Sequence, residues 1–399
     1  ATFSAITTAG MFLGALVGGI IGDKTGRRNA FILYEAIHIA SMVVGAFSPN
    51  MDFLIACRFV MGVGLGALLV TLFAGFTEYM PGRNRGTWSS RVSFIGNWSY
   101  PLCSLIAMGL TPLISAEWNW RVQLLIPAIL SLIATALAWR YFPESPRWLE
   151  SRGRYQEAEK VMRSIEEGVI RQTGKPLPPV VIADDGKAPQ AVPYSALLTG
   201  VLLKRVILGS CVLIAMNVVQ YTLINWLPTI FMTQGINLKD SIVLNTMSMF
   251  GAPFGIFIAM LVMDKIPRKT MGVGLLILIA VLGYIYSLQT SMLLITLIGF
   301  FLITFVYMYV CYASAVYVPE IWPTEAKLRG SGLANAVGRI SGIAAPYAVA
   351  VLLSSYGVTG VFILLGAVSI IVAIAIATIG IETKGVSVES LSIDAVANK

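Results

Sequence analysis

The stretch Gly19-Ile20-Ile21-Gly22-Asp23-Lys24-Thr25-Gly26-Arg27-Arg28 is a tight, charged turn wedged between two long apolar runs. A second turn of the same kind, Asp264-Lys265-Ile266-Pro267-Arg268-Lys269, separates two further apolar runs. Each sets one carboxylate ahead of a cluster of cations. Gly26 can turn the chain where a side chain would clash, and Pro267 stiffens the matching point of the second copy. A charged turn repeated once per half of an apolar chain predicts a duplicated membrane protein.

Composition agrees. The chain is 57% hydrophobic and 12% charged, with a mean hydropathy of +0.79, whereas about a quarter of a soluble protein's residues are charged. At ~1.5 Å per residue, about 20 apolar residues cross the ~30 Å hydrocarbon core. Eleven spans are predicted, near 5–22, 29–48, 52–74, 91–114, 120–142, 204–226, 242–263, 271–288, 292–314, 332–354 and 360–381. They are read as helices, because a lone strand in lipid leaves its backbone groups unpaired. The fold class is therefore an all-α membrane protein.

A net charge of +8 invites a nucleic-acid reading, but its placement argues otherwise. Of 28 Lys and Arg, 24 fall on alternate connections, which orients those connections and the C-terminal tail to the cytoplasm. No basic patch interleaved with aromatics speaks for nucleic acid. The lipid bilayer is the expected partner. Cys57, Cys103, Cys211 and Cys311 stand isolated in apolar runs and read as small buried hydrophobes.

Residues 143–203 form the one long polar segment. Within it Arg154 to Arg171 has helical spacing, with Ala158, Val161, Met162 and Ile165 on one face. Thr173 to Pro193 is rich in Gly and Pro and reads as an irregular linker. Three parts follow: an N-terminal helical half over 1–142, a cytoplasmic linker with a surface helix over 143–203, and a C-terminal half with its tail over 204–399.

Further strings repeat or stand out. Glu78-Tyr79-Met80-Pro81 with Arg85-Gly86 parallels Glu320-Ile321-Trp322-Pro323 with Arg329-Gly330. Each copy is a carboxylate, a Pro that ends the helix, then an Arg-Gly pair. Arg58-Phe59-Val60-Met61-Gly62-Val63-Gly64-Leu65-Gly66 places an Arg in a span before three Gly that admit a neighbouring helix. Pro143-Glu144-Ser145-Pro146-Arg147-Trp148-Leu149 and Glu382-Thr383-Lys384-Gly385 close the two halves.

Together these strings, from residue 19 to 385, resemble major facilitator superfamily transporters, in the sugar porter branch and its organic-ion-carrying relatives. The resemblance implies two pseudo-symmetric six-helix halves, alternating access and a secondary active transporter of a small polar metabolite. Proton symport across a bacterial inner membrane, by a monomer without a cofactor, is the mode expected. It also implies a twelfth helix: with the tail inside, an even count places the first helix before Ala1. By the same resemblance Asp23, Arg27, Glu78, Arg85, Glu144 and Arg147 in the first half, with Asp264, Arg268, Glu320 and Arg329 in the second, form the cytoplasmic gate. A membrane receptor or scaffold that keeps the fold without transporting is the alternative.

The seventh helix departs from the sugar-carrying pattern. Asn217-Val218-Val219-Gln220-Tyr221-Thr222-Leu223-Ile224-Asn225-Trp226-Leu227-Pro228 lacks the Gln- and Gly-rich run those members show, which favours a sugar acid or other carboxylate over a hexose. Gln220, Tyr221 and Asn225, with Tyr307 and Tyr312 on the tenth helix and Asn97 and Trp98 on the fifth, are the candidates to line the cavity.

Charge inside hydrocarbon costs roughly 2.5 to 3.5 kcal/mol on insertion scales, so each ionisable group there needs a partner or a role. Arg339 is a candidate substrate ligand, since guanidinium matches a carboxylate fork; bonding to backbone carbonyls is the plainer reading. Arg58 is a candidate for proton coupling by resemblance, or snorkels to the outer surface. Glu35 and His38 lie one turn apart, and such a pair can relay protons or serve structure alone. The sequence shows no metal-ligand set, nucleophile triad or phosphate-binding Gly loop, so no enzyme activity is expected.

Overall fold

The computed structural model describes residues 2–78, 85–177, 193–323 and 326–384, and only the backbone of residues 23, 73–78, 85–90, 327 and 328. Its described elements are helices: α1 (Thr2–Thr25), α2 (Arg27–Ala46), α3 (Met51–Glu78), α4 (Arg85–Asn97), α5 (Ser99–Leu110) and α6 (Ala116–Tyr141). The polar segment carries α7 (Pro146–Ser151), α8 (Tyr155–Thr173) and α9 (Tyr194–Leu197). Then come α10 (Gly200–Thr233), α11 (Leu238–Met249), α12 (Gly251–Val262), α13 (Arg268–Ser287), α14 (Met292–Cys311), α15 (Val318–Glu320) and α16 (Lys327–Ile379).

Among the described residues nine helical stretches are long and apolar enough to cross a membrane. Two differences account for the gap from eleven. The predicted span 91–114 is not among the nine: α4 and α5 meet there at Trp98, whose backbone stays helical (φ −65°, ψ −18°), and the run Asn97-Trp98-Ser99-Tyr100-Pro101 makes this stretch less apolar than the others. The predicted spans 332–354 and 360–381 run together in α16, which kinks at Gly357 (φ 65°, ψ −160°), a conformation glycine reaches freely. The surface helix predicted over 154–171 is α8, and much of the expected linker, 178–192, lies outside the described residues.

The chain folds as two compact units. One comprises Ala1–Ala5, Gly86–Asn119 and Pro189–Lys399; the other comprises Ile6–Arg85 and Trp120–Ala188. Thus α4 and α5 pack with α10 to α16. Phe94 meets Phe257 at 6.0 Å, Trp98 meets Phe250 at 6.3 Å, and Asn245 Nδ2 donates to Ser104 Oγ at 3.3 Å. This unit holds the large core, with Leu208, Leu213, Phe231, Tyr309, Trp322 and Phe362 fully buried.

In the other unit glycines bring α1 against α3. A Cβ on Gly10, Gly14, Gly62 or Gly66 would stand 2.3 Å or less from a backbone oxygen of the opposite helix. Gly10 and Gly14, like Gly62 and Gly66, are four residues apart and so share a face, the small-residue spacing that lets membrane helices meet backbone to backbone. Tyr34 Oη of α2 donates to the Gly18 carbonyl of α1 at 2.9 Å and ties the third helix in.

The cysteines only partly match expectation. Cys311 is buried, Cys57 and Cys211 are intermediate, and Cys103 is exposed. Cys103 corrects the buried reading: in a membrane span an outward-facing position is as apolar as a core one, so hydrophobicity does not distinguish them.

Candidate functional site

Two sets of residues stand out, a polar cluster within the membrane helices and a capping network at the helix ends. In the cluster Gly338 is the key to the geometry. A Cβ there would lie 2.8 Å from Leu213 Cβ and 3.0 Å from Asn217 Nδ2, so its absence lets α16 settle onto α10. Arg339 follows directly, and its guanidinium is in electrostatic reach of Tyr221, one turn along α10 from Asn217. Among the described residues Arg339 has no carboxylate within ion-pair distance.

Tyr221 also interacts with Tyr100 of α5. Tyr100 in turn meets Tyr307 of α14 edge to face, ring centroids 5.1 Å apart. The buried Tyr307 hydroxyl is within reach of Gln220 and Tyr100 but has no hydrogen bond of good geometry to either. Thr222 Oγ1, Trp226 Nε1 and Asn245 Oδ1 are likewise buried without partners on α10 and α11. Electrostatic proximity thus links Arg339, Tyr221 and Tyr100, and the ring contact of Tyr100 with Tyr307 extends the group toward Gln220.

The other cavity candidates stand apart from this group. Tyr312 is fully buried in a π-helical segment (Tyr312–Tyr317), stacked on Tyr317 at 5.0 Å, with its hydroxyl against Gly272 of α13. Asn97 Nδ2 donates back to the Ser93 carbonyl of its own helix at 2.7 Å. Trp98 is exposed apart from its contacts with Phe94 and Phe250, and Asn225 is exposed. Tyr100, central to the cluster, was missed by sequence reasoning; its only local signal is its place beside Pro101 in the polar middle of the fifth span.

In the unit of residues 6–85 and 120–188, Glu35 Oε2 and His38 Nδ1 face each other at 3.7 Å, both atoms buried and neither hydrogen-bonded. Their helix lies against α3 at Gly64, where a Cβ would come 3.1 Å from the His38 backbone nitrogen. Arg58 sits on α3 one turn before Gly62 and is half-buried.

The capping network shows what the repeated turns are built for. Glu144 Oε1 accepts from the Arg27 and Arg28 backbone N–H groups at 2.7 and 3.2 Å, so it caps the N-terminus of α2. Gly26 has φ 94°, and a Cβ there would stand 2.3 Å from Glu144 Oε2, so the turn needs glycine twice over. In the second half Glu382 does the same for α13, accepting from Arg268 N at 2.7 Å and Lys269 N at 3.1 Å. The two carboxylates that cap are the ones in the strings closing each half.

The second half adds an ion pair. Arg268, buried, donates through Nε to Glu320 Oε2 at 3.1 Å and through Nη2 to Glu320 Oε1 at 3.2 Å. Nη2 also reaches Asp264 Oδ1 at 3.2 Å, and Nη1 donates to the Met263 carbonyl. Thr383 Oγ1 donates to Glu320 at 2.6 Å and joins the two strings. Arg329 lies over the Tyr194 ring at 5.3 Å, and Arg147 is exposed on α7. The side chains of Asp23, Glu78 and Arg85 lie outside the described residues.

Burial alone would raise the Glu382 carboxyl, but N–H donation from Arg268, Lys269 and Lys384 outweighs it and holds the group below the ordinary carboxylate range. A depressed carboxylate stabilises the fold above its unfolded value, and that contribution is lost as pH falls through the lower folded one. The thermal midpoint of the purified protein should therefore drop on acidification below about pH 4.3. Glu382→Gln, already uncharged, should show a smaller drop over the same window; equal drops in both would remove Glu382 from the acid response.

Membrane helices in two units, with the helices that leave the duplicated charged turns capped by Glu144 and Glu382, make up the major facilitator fold. Residues 1–395 match the family model described as sugar (and other) transporter, and the chain belongs to that family of membrane transporters, which are not enzymes. It is 44% identical over 394 residues, covering 98% of this chain and 86% of the relative, to the inner membrane metabolite transport protein YdjE of Escherichia coli (strain K12). It is 26% identical, over 96% of this chain and 85% of the relative, to the niacin transporter NiaP of Acinetobacter baylyi. The xylose transporter XylE from E. coli, in a partially occluded inward-open conformation, superposes with a TM-score of 0.76 at 18% identity, over 96% of this chain and 87% of that one. A further XylE structure, described as a proton:xylose symporter, gives a TM-score of 0.67 at 21% identity, over 97% and 87%.

Proposed function

We propose that this transporter carries a small anionic or polyhydroxy-acid metabolite across a bacterial inner membrane by alternating access, in symport with protons. Arg339 carries the reading. It is a guanidinium within a span, without a carboxylate partner among the described residues, beside two tyrosines, Tyr221 and, through it, Tyr100. Such a group attracts a carboxylate and can hold it by two parallel charge-assisted hydrogen bonds. The unpartnered Tyr307 and Thr222 hydroxyls, the Trp226 indole N–H and the Asn245 amide oxygen supply donors and acceptors for the rest of a polar substrate.

The relatives support the class. YdjE is described as an inner membrane metabolite transport protein and NiaP as a niacin transporter, while XylE, at lower identity, is a proton:xylose symporter. In this reading Gln220, Tyr221 and Asn225, with Tyr307, Tyr312, Asn97 and Trp98, belong to the substrate path. Arg58, Glu35 and His38 belong to proton coupling. Asp23, Arg27, Glu78, Arg85, Glu144 and Arg147, with Asp264, Arg268, Glu320 and Arg329, gate the cytoplasmic side, to which the C-terminal tail is assigned. The working unit is a monomer.

Uptake of labelled sugars, sugar acids and carboxylates into vesicles, with and without a pH gradient, tests it. A carboxylate is expected to accumulate only with the gradient. Arg339→Lys keeps the charge and loses the fork, and should weaken uptake of that substrate by about tenfold or more at unchanged protein level. Uptake of neutral hexoses alone, indifferent to Arg339→Lys, would overturn the anion reading. Accumulation that ignores the gradient would remove proton coupling.

A further inference from the structure

A cavity of about 990 Å³ opens beside the start of α2, between the end of α6 and the amphipathic α8. Its walls are of two kinds. Arg28, Arg140, Arg154 and Lys160 bring positive charge, whereas Phe142, Leu149, Val161 and Ile165 are apolar. Two carboxylates also line it, but both are engaged. Glu144 caps α2 through the Arg27 and Arg28 N–H groups, and Glu157 takes Arg154 in a fork at 2.7 and 2.6 Å.

Three cations remain. Arg28 donates to the Trp139 carbonyl and Arg140 lies over the Tyr141 ring at 5.7 Å. Neither these two nor Lys160 has a carboxylate within salt-bridge distance among the described residues. Four cations against two carboxylates leave an excess of positive charge in a roomy cavity, which selects for an anion.

The level of the cavity in the membrane narrows the choice. It sits where the candidate spans of α2 and α6 end, at Arg27 and Tyr141. Trp139 and Tyr141 are exposed there, the aromatic signature of the headgroup layer. From this point α6 runs back through the bilayer with almost no residue buried, and Leu130, Ile133 and Leu137 lie exposed at helical spacing on one side. An inorganic anion would leave the apolar wall of Leu149, Val161 and Ile165 unused. A phospholipid uses both walls.

We propose that this cavity binds the headgroup of an anionic phospholipid, with its phosphate held by Arg28, Arg140 and Lys160 and its acyl chains laid along α6. Basic pockets at this level of a membrane protein are suited to such headgroups. Binding would also seat α8, which packs on α7.

Native mass spectrometry of the full-length chain, delipidated and titrated with phosphatidylglycerol or phosphatidylcholine, is the test. Phosphatidylglycerol should give a saturable first adduct and phosphatidylcholine only weak, non-saturating ones. Arg140→Gln with Lys160→Gln, both exposed positions, should weaken that first adduct by roughly thirtyfold. Arg171→Gln with Lys175→Gln, which removes two cations outside the cavity, should leave it in place and so controls for overall charge. Val161→Trp, which fills the cavity without changing charge, should also weaken the adduct. Equal binding of the two lipids, or an adduct indifferent to both cavity variants, overturns the proposal. Competition of phosphatidylglycerol by inorganic phosphate alone, at similar concentration, would reassign the cavity to a soluble anion and overturn the lipid assignment.

Discussion

Replacing Arg268 with Met is expected to destabilise the protein by about 3 kcal/mol, at the lower end of the range for breaking a buried ion pair from one side. The Arg268 side chain is only 7% exposed and serves Glu320 by two hydrogen bonds, Asp264 by one and the Met263 carbonyl by another. Met fills similar volume but leaves Glu320 facing a thioether. The Glu320 side chain is 34% exposed, so water relieves part of its charge and holds the cost at the low end. Adding Glu320→Gln to Arg268→Met should restore part of the loss, because the orphaned charge goes with it. Asp264→Asn should change little, since that carboxylate is 90% exposed and surface pairs contribute less than about 1 kcal/mol. Thermal unfolding of the purified variants measures all three. A parent-like midpoint for Arg268→Met would show that the pair is not structural.

Gly14→Val is expected to cost still more and to reduce the yield of folded protein. A Cβ at Gly14 would sit 2.0 Å from the Val63 carbonyl oxygen and 2.8 Å from its carbon, both backbone atoms that cannot rotate away. The only relief is to move α1 off α3, which also strains the Tyr34 hydrogen bond to Gly18. Overpacking a core that can adjust costs about 1–3 kcal/mol, and this contact has less room to adjust. Gly19→Ala is the matched control, because nothing lies within 4 Å of a Cβ there. Size-exclusion profiles and thermal midpoints of the two variants should diverge sharply. If Gly14→Val elutes and melts like the parent, the backbone contact between α1 and α3 is not what holds the unit together.

The spans were legible because length and hydropathy are local properties of the chain. Predicting two spans over 332–354 and 360–381 needed no tertiary knowledge, and the kink at Gly357 accommodates both in one helical run. The repeated charged turns were equally plain. What each turn's partner would be was not. Glu144 was picked out by its string and by resemblance, but its action as a cap on the N-H groups of Arg27 and Arg28 depends on a contact between residues 117 and 116 apart in sequence. Glu382 meets Arg268 across 114 residues.

The candidate site was legible in kind and only partly in membership. Tyr221 lies in electrostatic reach of Arg339 and of Tyr100, the latter passed over by sequence reasoning and meeting Tyr307 ring to ring near Gln220. Tyr307 and Tyr312 show why. Both are tyrosines on one apolar stretch, yet one meets Tyr100 while the other stacks on Tyr317 against α13. In water, a buried face announces itself by alternating with a polar one. In a bilayer the lipid-facing side is as apolar as the packed side, so the pattern carries no phase. By itself, then, the sequence determined which segments are long and apolar enough to cross a membrane, that its charged turns repeat once per half, and where charge must sit at the helix ends. Which face of each helix meets which neighbour, and so which polar side chains share a site, was decided only by the tertiary structure, through glycines such as Gly338 and Gly66 that let particular backbones touch.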